Sequence, residues 1–563
     1  MSSLVHRRDA GRPVHYEGDH AGAYTDVYSL MYAPVPALLS IAQDLPTQLY
    51  NCSVAESIRQ RGKPFLLCEY VHAMGNGPGA IDQYEDLVWQ HPRLHGGFVW
   101  EWRDHGLLTR TPAGKPFYGY GGDFGEVVHD GNFVMDGMIL SDETPTPGLH
   151  EYKAVVQPIL FSFDADSVRL SNLRHSADTS DLEFSWTIDR DGEQHSSGIL
   201  ALPQISAGDD AIVPMPPTPD ATGELWLTVT AALKAPTNWA EAGHIVASAQ
   251  NQIQAAVVTA VPARPLGVVM NNGVSETIRL GSAVFSHGVL TELAGLEIAG
   301  PQLQLWRAPT DNDEGASFGN YDDGDPVATG GWGKPGPAVA ALWHSAGLDR
   351  LEHRLDAQEV GEGFVRTVTR SAAADSREYV RSTVLWQFVD DELVLGIDIE
   401  PSRGWTSVWP RIGVRFDLPA VIDGARWFGQ GPAESYPDSM RAAAVGRFEL
   451  GIDALSAGYA RPQETGHRSG LRELDLLAAG QRRLSIRAFA DQQGRRPGFT
   501  LFRYTAEELT AAGHPHELPT SSGSYLYLDA AQHGLGSRAC GPDVWPSYTL
   551  RPEARSITLR ILA

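Results

Sequence analysis

A chain of 563 residues is longer than one ordinary hydrophobic core can fill, so two to four domains are expected. Its 42% hydrophobic and 20% charged residues are ordinary for a globular protein, and a net charge of −25 without any basic run argues against nucleic acid as a partner. Cys52, Cys68 and Cys540 lie far apart without metal-like spacing, the pattern of reduced thiols and not of a disulfide framework.

Met1-Ser2-Ser3-Leu4-Val5-His6-Arg7-Arg8 has no apolar core of the signal-peptide kind, and no later run is long and apolar enough for a bilayer. The expectation is a cytoplasmic protein with no membrane partner. Residues 13–16 and 26–32 read as strands, but the gap between them is too short for a standard crossover helix. Either that unit is irregular or one strand is misread. Residues 64–68 give a compact buried-strand signal. Residues 80–89 then place Ile81, Tyr84 and Val88 on one helical face, and residues 96–100 read as the next buried strand. This is a βαβ unit, at home in a parallel sheet covered by helices. Residues 1–150 therefore supply about four strands, half of a (β/α)₈ barrel. Left open, such a half-barrel exposes sheet edges and apolar surface.

Beyond residue 150 the pattern changes to period-two alternation, as in residues 182–188, 225–229, 393–399 and 557–561. That pattern predicts β-sandwiches. Val261-Pro262-Ala263-Arg264-Pro265 reads as a stiff linker. The expected division is a partial barrel over 1–150, an immunoglobulin-like sandwich over 151–262 and a large β-sandwich over 266–563. Within the last, the Gly/Asp/Pro-rich residues 308–337 read as a long ordered loop.

Glu69 stands at the carboxyl end of a buried parallel strand, where barrel active sites are built. A half-desolvated carboxylate there suits a nucleophile once a neighbouring donor holds it ionised. The competing reading is a carboxylate that caps a helix or joins a salt bridge.

The run Leu67-Cys68-Glu69-Tyr70-Val71-His72-Ala73-Met74-Gly75-Asn76-Gly77 resembles the nucleophile signature of glycoside hydrolase family 2 β-galactosidases. So do Pro92-Arg93-Leu94-His95-Gly96-Gly97-Phe98-Val99-Trp100-Glu101-Trp102, Tyr120-Gly121-Gly122-Asp123-Phe124-Gly125, Trp306-Arg307-Ala308-Pro309-Thr310-Asp311-Asn312-Asp313 and Gly429-Gln430-Gly431-Pro432-Ala433-Glu434-Ser435-Tyr436-Pro437-Asp438, in the family's order. The resemblance implies retaining hydrolysis of terminal β-galactosides with Glu69 as nucleophile. It implies Tyr32 as the tyrosine whose hydroxyl bonds that nucleophile, and His72 as a contact to sugar hydroxyls. Trp100 and Trp545 are implied to flank the sugar, with Asn76 among the substrate-binding residues. Phe133 and Asp136 correspond to a sodium site built from a backbone carbonyl and a side-chain oxygen. Aspartate at 136, where relatives commonly have asparagine, keeps the oxygen and adds a charge. Glu101 likewise replaces the commoner aspartate.

Retaining hydrolysis needs two carboxyl groups about 5–5.5 Å apart. In the family the acid/base glutamate follows an asparagine on an earlier barrel strand, and the magnesium ligands lie in that same earlier half. This chain contains no Asn-Glu dipeptide, so neither that acid nor the magnesium site is expected here. Glu17 and Glu101 lack the acid/base context. Three readings stay open: half of a two-chain enzyme, a truncated product with little activity, or a galactoside-binding protein that no longer catalyses. A homo-oligomer or a separate amino-terminal half are the partners implied. β-Glucuronidase or β-mannosidase is the alternative specificity.

Overall fold

In the computed structural model, residues 1–45, 49, 52–256, 269–271, 277–315, 337–389, 392–537 and 544–562 are described. The expected linker at 261–265, Cys540 and residues 316–336 of the expected loop lie outside them.

Three strands, β1 (Tyr28–Met31), β2 (Phe65–Tyr70) and β3 (Leu94–Val99), pair in parallel in that order. Phe65, Leu67 and Tyr70 are buried on one face of β2, where Tyr28, Leu30, Ile81 and Tyr84 join them in a single core. Burying each such side chain is worth roughly 1.5–3 kcal/mol. The helices Val35–Ala42 and Ile81–Gln90 lie over this core. β2 and β3 can approach because position 97 is glycine: a Cβ there would lie 2.8 Å from Leu67 Cβ and 3.0 Å from its carbonyl oxygen.

The fourth strand expected at residues 13–16 does not form. The Val14 amide donates to the Asp26 carboxylate (2.7 Å) and the Val14 carbonyl accepts from the Asp26 amide (2.8 Å). With those groups satisfied locally, the segment joins no sheet. The parallel sheet thus has three strands among the described residues.

The middle unit is a sandwich. One sheet orders Ile245–Gln254, Leu225–Leu233, Leu182–Arg190 and Glu193–Ile199; the other orders Asp210–Pro214, Ser167–Asn172 and Ile159–Phe163. In Leu225–Leu233 every second side chain is buried, the alternation that seats one face on a core. The final unit packs a ten-stranded sheet against a seven-stranded one around one large core. Glu392–Pro401 and Arg555–Leu562 are antiparallel neighbours in the larger sheet. Partial barrel, immunoglobulin-like sandwich and large β-sandwich are the fold classes expected. Among the described residues no helix is long and apolar enough to cross a membrane.

Candidate active site

The site begins with a break in register. Leu30 pairs with Leu67, but Met31 pairs with Glu69, so Cys68 is passed over and β2 bulges one residue before the carboxylate. Such a bulge re-aims the side chains at a strand end. Beyond it, the Tyr32 amide donates to the Glu69 carbonyl (2.8 Å), and the Trp100 amide to the Tyr70 carbonyl (3.1 Å). Tyr32 and Val71 then take left-handed backbone conformations, φ +50° and +54°, and turn the chain out of the sheet. For a β-branched valine that conformation is strained and is held only by its surroundings.

Tyr32, Glu69 and Trp100 thereby sit on one rim of three adjacent strands, with His72 just beyond. Glu69 is half-buried, and among the described residues no side chain hydrogen-bonds or ion-pairs with its carboxylate. Among those residues the salt-bridge and capping alternatives for Glu69 find no partner. The Tyr32 and His72 rings meet edge to face with centroids 5.7 Å apart, and His72 lies 5.6 Å from the Phe133 ring. His72 Nε2 is 3.7 Å from Asp136 Oδ2, and the Trp100 indole donates to that same oxygen at 3.0 Å. Burial holds the His72 imidazole below its usual range, against the attraction of Asp136. Burial raises the Asp136 carboxyl in turn. Both groups pay for desolvation more than they recover from each other.

Asp136 Oδ1 is buried and has no hydrogen-bond partner among the described residues. A buried carboxylate oxygen left bare is costly unless something positive sits beside it. The donor set, this oxygen with the nearby main chain of the Gly131–Val134 turn that carries Phe133, suits a hard cation. Asp104, close to Asp136 and Asp311, accepts from the Gly137 amide (2.8 Å), yet burial lifts its carboxyl to about 7.

Asn76, expected beside the sugar, is instead part of a buried seam with the final domain. Its amide group donates to the Glu464 carbonyl (2.9 Å) and Glu434, and its carbonyl accepts from the Tyr459 hydroxyl (3.3 Å). The seam continues through Asp311, which accepts from Asn132 (2.7 Å), Arg461 (3.0 Å) and Gln463 (2.8 Å). It explains the glycines of the signature loop. A Cβ on Gly75, itself at φ +61°, would collide with the Gln463 and Asp311 side chains; one on Gly79 would strike Asp438. Trp545 is buried, and Tyr548 in the turn it opens accepts from Gln83 of helix Ile81–Gln90 (2.8 Å).

Residues 1–161 match the family model for the glycosyl hydrolases family 2 TIM barrel domain, 168–254 that for β-galactosidase domain 4, and 282–561 that for the β-galactosidase small chain. The chain belongs to glycoside hydrolase family 2. It is 53% identical over 574 residues to a β-galactosidase of Arthrobacter sp. (strain B7), covering 100% of this chain and 56% of that protein. To a β-galactosidase of Vibrio cholerae serotype O1 it is 31% identical over 584 residues, covering 98% and 52%. The chain spans about half the length of these curated relatives. A galactose mutarotase-like protein from Lactobacillus casei covers 53% of the chain at 10% identity and a TM-score of 0.25, too weak a likeness to carry an argument.

In this family 2 chain the residues that sequence reasoning missed are those of the seam: Asp104, Asp311, Glu434 and Gln463. Asp311 and Glu434 stand inside motif blocks, which is the signal that could have found them. Gln463 stands in none.

Proposed function

We propose that this chain carries the nucleophile half of a retaining β-galactosidase, with the acid/base carboxyl supplied by an amino-terminal barrel half. One observation carries the reading: Glu69 stands half-buried at the carboxyl rim of a parallel strand, between Tyr32 and Trp100, with no side-chain partner among the described residues.

In the proposed reaction the Glu69 carboxylate attacks the anomeric carbon of a terminal β-galactoside as the aglycone oxygen takes a proton from the acid of that half. A galactosyl ester results, and water attacks it with that acid now acting as base. Once it donates to Glu69 in the completed site, the Tyr32 hydroxyl would favour the carboxylate's charged form and ease departure of the sugar. His72, neutral because it is buried, accepts from or donates to a sugar hydroxyl without adding charge. Trp100 and Trp545 offer indole faces to the apolar face of the galactose ring. A sodium ion would be held by Asp136 Oδ1 and the Phe133 carbonyl. It would fix these groups and offset the extra charge that aspartate brings.

The relatives' additional length is room for such a barrel half. The apolar surface of the partial barrel supports it: Phe98, Trp100, Trp102, Leu107 and Leu108 are all exposed. Such a surface suits the strands and loops that would complete the cylinder.

Purified chain should hydrolyse an aryl β-galactoside very poorly, and adding a polypeptide with the amino-terminal barrel half should restore the rate. Glu69→Gln should abolish the restored activity, and a 2-deoxy-2-fluoro-galactoside with a good leaving group should label Glu69 covalently. Full activity of the isolated chain would overturn the need for an amino-terminal half. Restored activity in Glu69→Gln would remove the nucleophile assignment.

A further inference from the structure

Far along the chain from Glu69, the segment after helix Ala506–Ala511 brings His514, His516 and Glu517 together against the hairpin arm that ends at Asp123. One ligand-type atom from each of the three lies within 4.8 Å of the others. His514 is buried, stacked on the Tyr120 ring (centroids 4.4 Å apart, planes 8° from parallel) and edge-on to Phe117 at 5.0 Å. Phe117 also lies 4.5 Å from the His516 ring. The cluster is therefore held by packing.

The hydrogen bonds decide what it can hold. His514 Nε2 meets Asp123 Oδ2 at 2.8 Å. If Nε2 donates there, the neutral ring has a bare lone pair on Nδ1, and that atom faces Glu517 Oε1 at 3.5 Å. That contact is favourable only with a positive charge there, either a second proton on the ring or a cation between the two atoms. The separation is close to the roughly 3.3 Å between two ligand atoms on a tetrahedral ion with 2.0–2.1 Å bonds. His516 Nδ1 is buried without a hydrogen-bond partner among the described residues. The Gly513 amide donates to Glu517 Oε2 (2.8 Å) and orients that carboxylate. Asp123 on the far nitrogen of His514 is the carboxylate–histidine–metal arrangement, which fixes the ring and raises its basicity.

The geometry points to a divalent-cation site of zinc type, with His514 Nδ1, His516 Nδ1 and a Glu517 carboxylate oxygen as ligands and Asp123 as the positioning residue behind His514. Two imidazoles and one carboxylate favour a borderline metal over calcium or magnesium, which prefer oxygen ligands. Glu517 is exposed, so a water completes the tetrahedron. Asp123, through its hydrogen bond with His514, would tie the site to residues 117–123 of the barrel unit. No step of the proposed hydrolysis passes through the ion.

The untagged full chain, stripped with a chelator and dialysed, is titrated with zinc against a competing chromophoric chelator. One zinc per chain is expected, with affinity lowered at least tenfold in His516→Ala and in Glu517→Gln. Asp123→Asn, which touches no metal, should lower it about 10–100-fold. Zinc should raise the Tm of the parent and not that of the variants, whose metal-free melting shows whether each folds. Because Glu517 is exposed, Glu517→Gln keeps the test decisive if His516→Ala does not fold. No zinc bound by the parent, or equal binding by parent and Glu517→Gln, would overturn the site; the latter would place the metal on the thiols or elsewhere.

Discussion

Burial lifts the Asp104 carboxyl from its ordinary 3.8 to about 7, with the charges of Asp136 and Asp311 adding to the effect and the Gly137 amide opposing it. The sign of the linkage follows. A group whose pKa is higher in the folded than in the unfolded chain gives stability that is complete below about 3.8 and is lost as pH rises through about 7. Asp104→Asn keeps the acceptor for Gly137 and removes the titration. Its unfolding free energy relative to the parent should therefore rise between pH 4 and pH 8, by at most about 4 kcal/mol. Denaturant titrations at both pH values measure it, and an unchanged difference would show Asp104 to be ionised throughout. At this same scale the sequence was partly readable. Glu69 could be found because a carboxylate ending an apolar strand is unusual on its own terms, and Tyr32 and His72 came only with the motif. Nothing in Gly75-Asn76-Gly77 announces that the Asn76 amide donates to Glu464, 388 positions away.

Among the elements, β2 and helix Ile81–Gln90 were legible because their apolar residues follow the period of the structure they form. The alternating strands of both sandwiches were legible for the same reason. Residues 13–16 have strand-like composition, but the side chain of Asp26 satisfies the Val14 amide before a neighbouring strand can. A composition-based reading cannot see that competition. The loop following β2 shows the converse, because its glycines are set by a distant domain. Gly75→Ala combines an unfavourable left-handed φ with collisions on Gln463 and Asp311. It should destabilise the chain by roughly 1–3 kcal/mol, read as a lower denaturant midpoint. A midpoint unchanged would mean that the seam yields easily there. Should the seam open first, the barrel unit would unfold ahead of the final domain and the transition would broaden.

Taken as a whole, the molecule has three cores joined by specific polar contacts. Glu151 of helix Pro147–Val155 accepts from the amides of Met440, Arg441 and Ala442. Gln250 and Val445 exchange two hydrogen bonds, and Glu224 of the middle sandwich pairs with Arg472 of the final one. Phe98 of β3 and Trp100, Trp102, Leu107 and Leu108 beyond it are left exposed by these arrangements. The isolated chain should therefore enhance the fluorescence of a hydrophobic dye such as ANS, and an amino-terminal barrel half should quench that signal in step with the return of activity. Dye binding that persists in the active complex would locate the exposed surface elsewhere. Because the seam already fixes the loops around Glu69, an arriving partner meets a surface whose ordering entropy was spent when this chain folded. Assembly then resembles the docking of two finished bodies: recovery should be second order in protein, at roughly 10⁵–10⁷ M⁻¹ s⁻¹, with no concentration-independent lag.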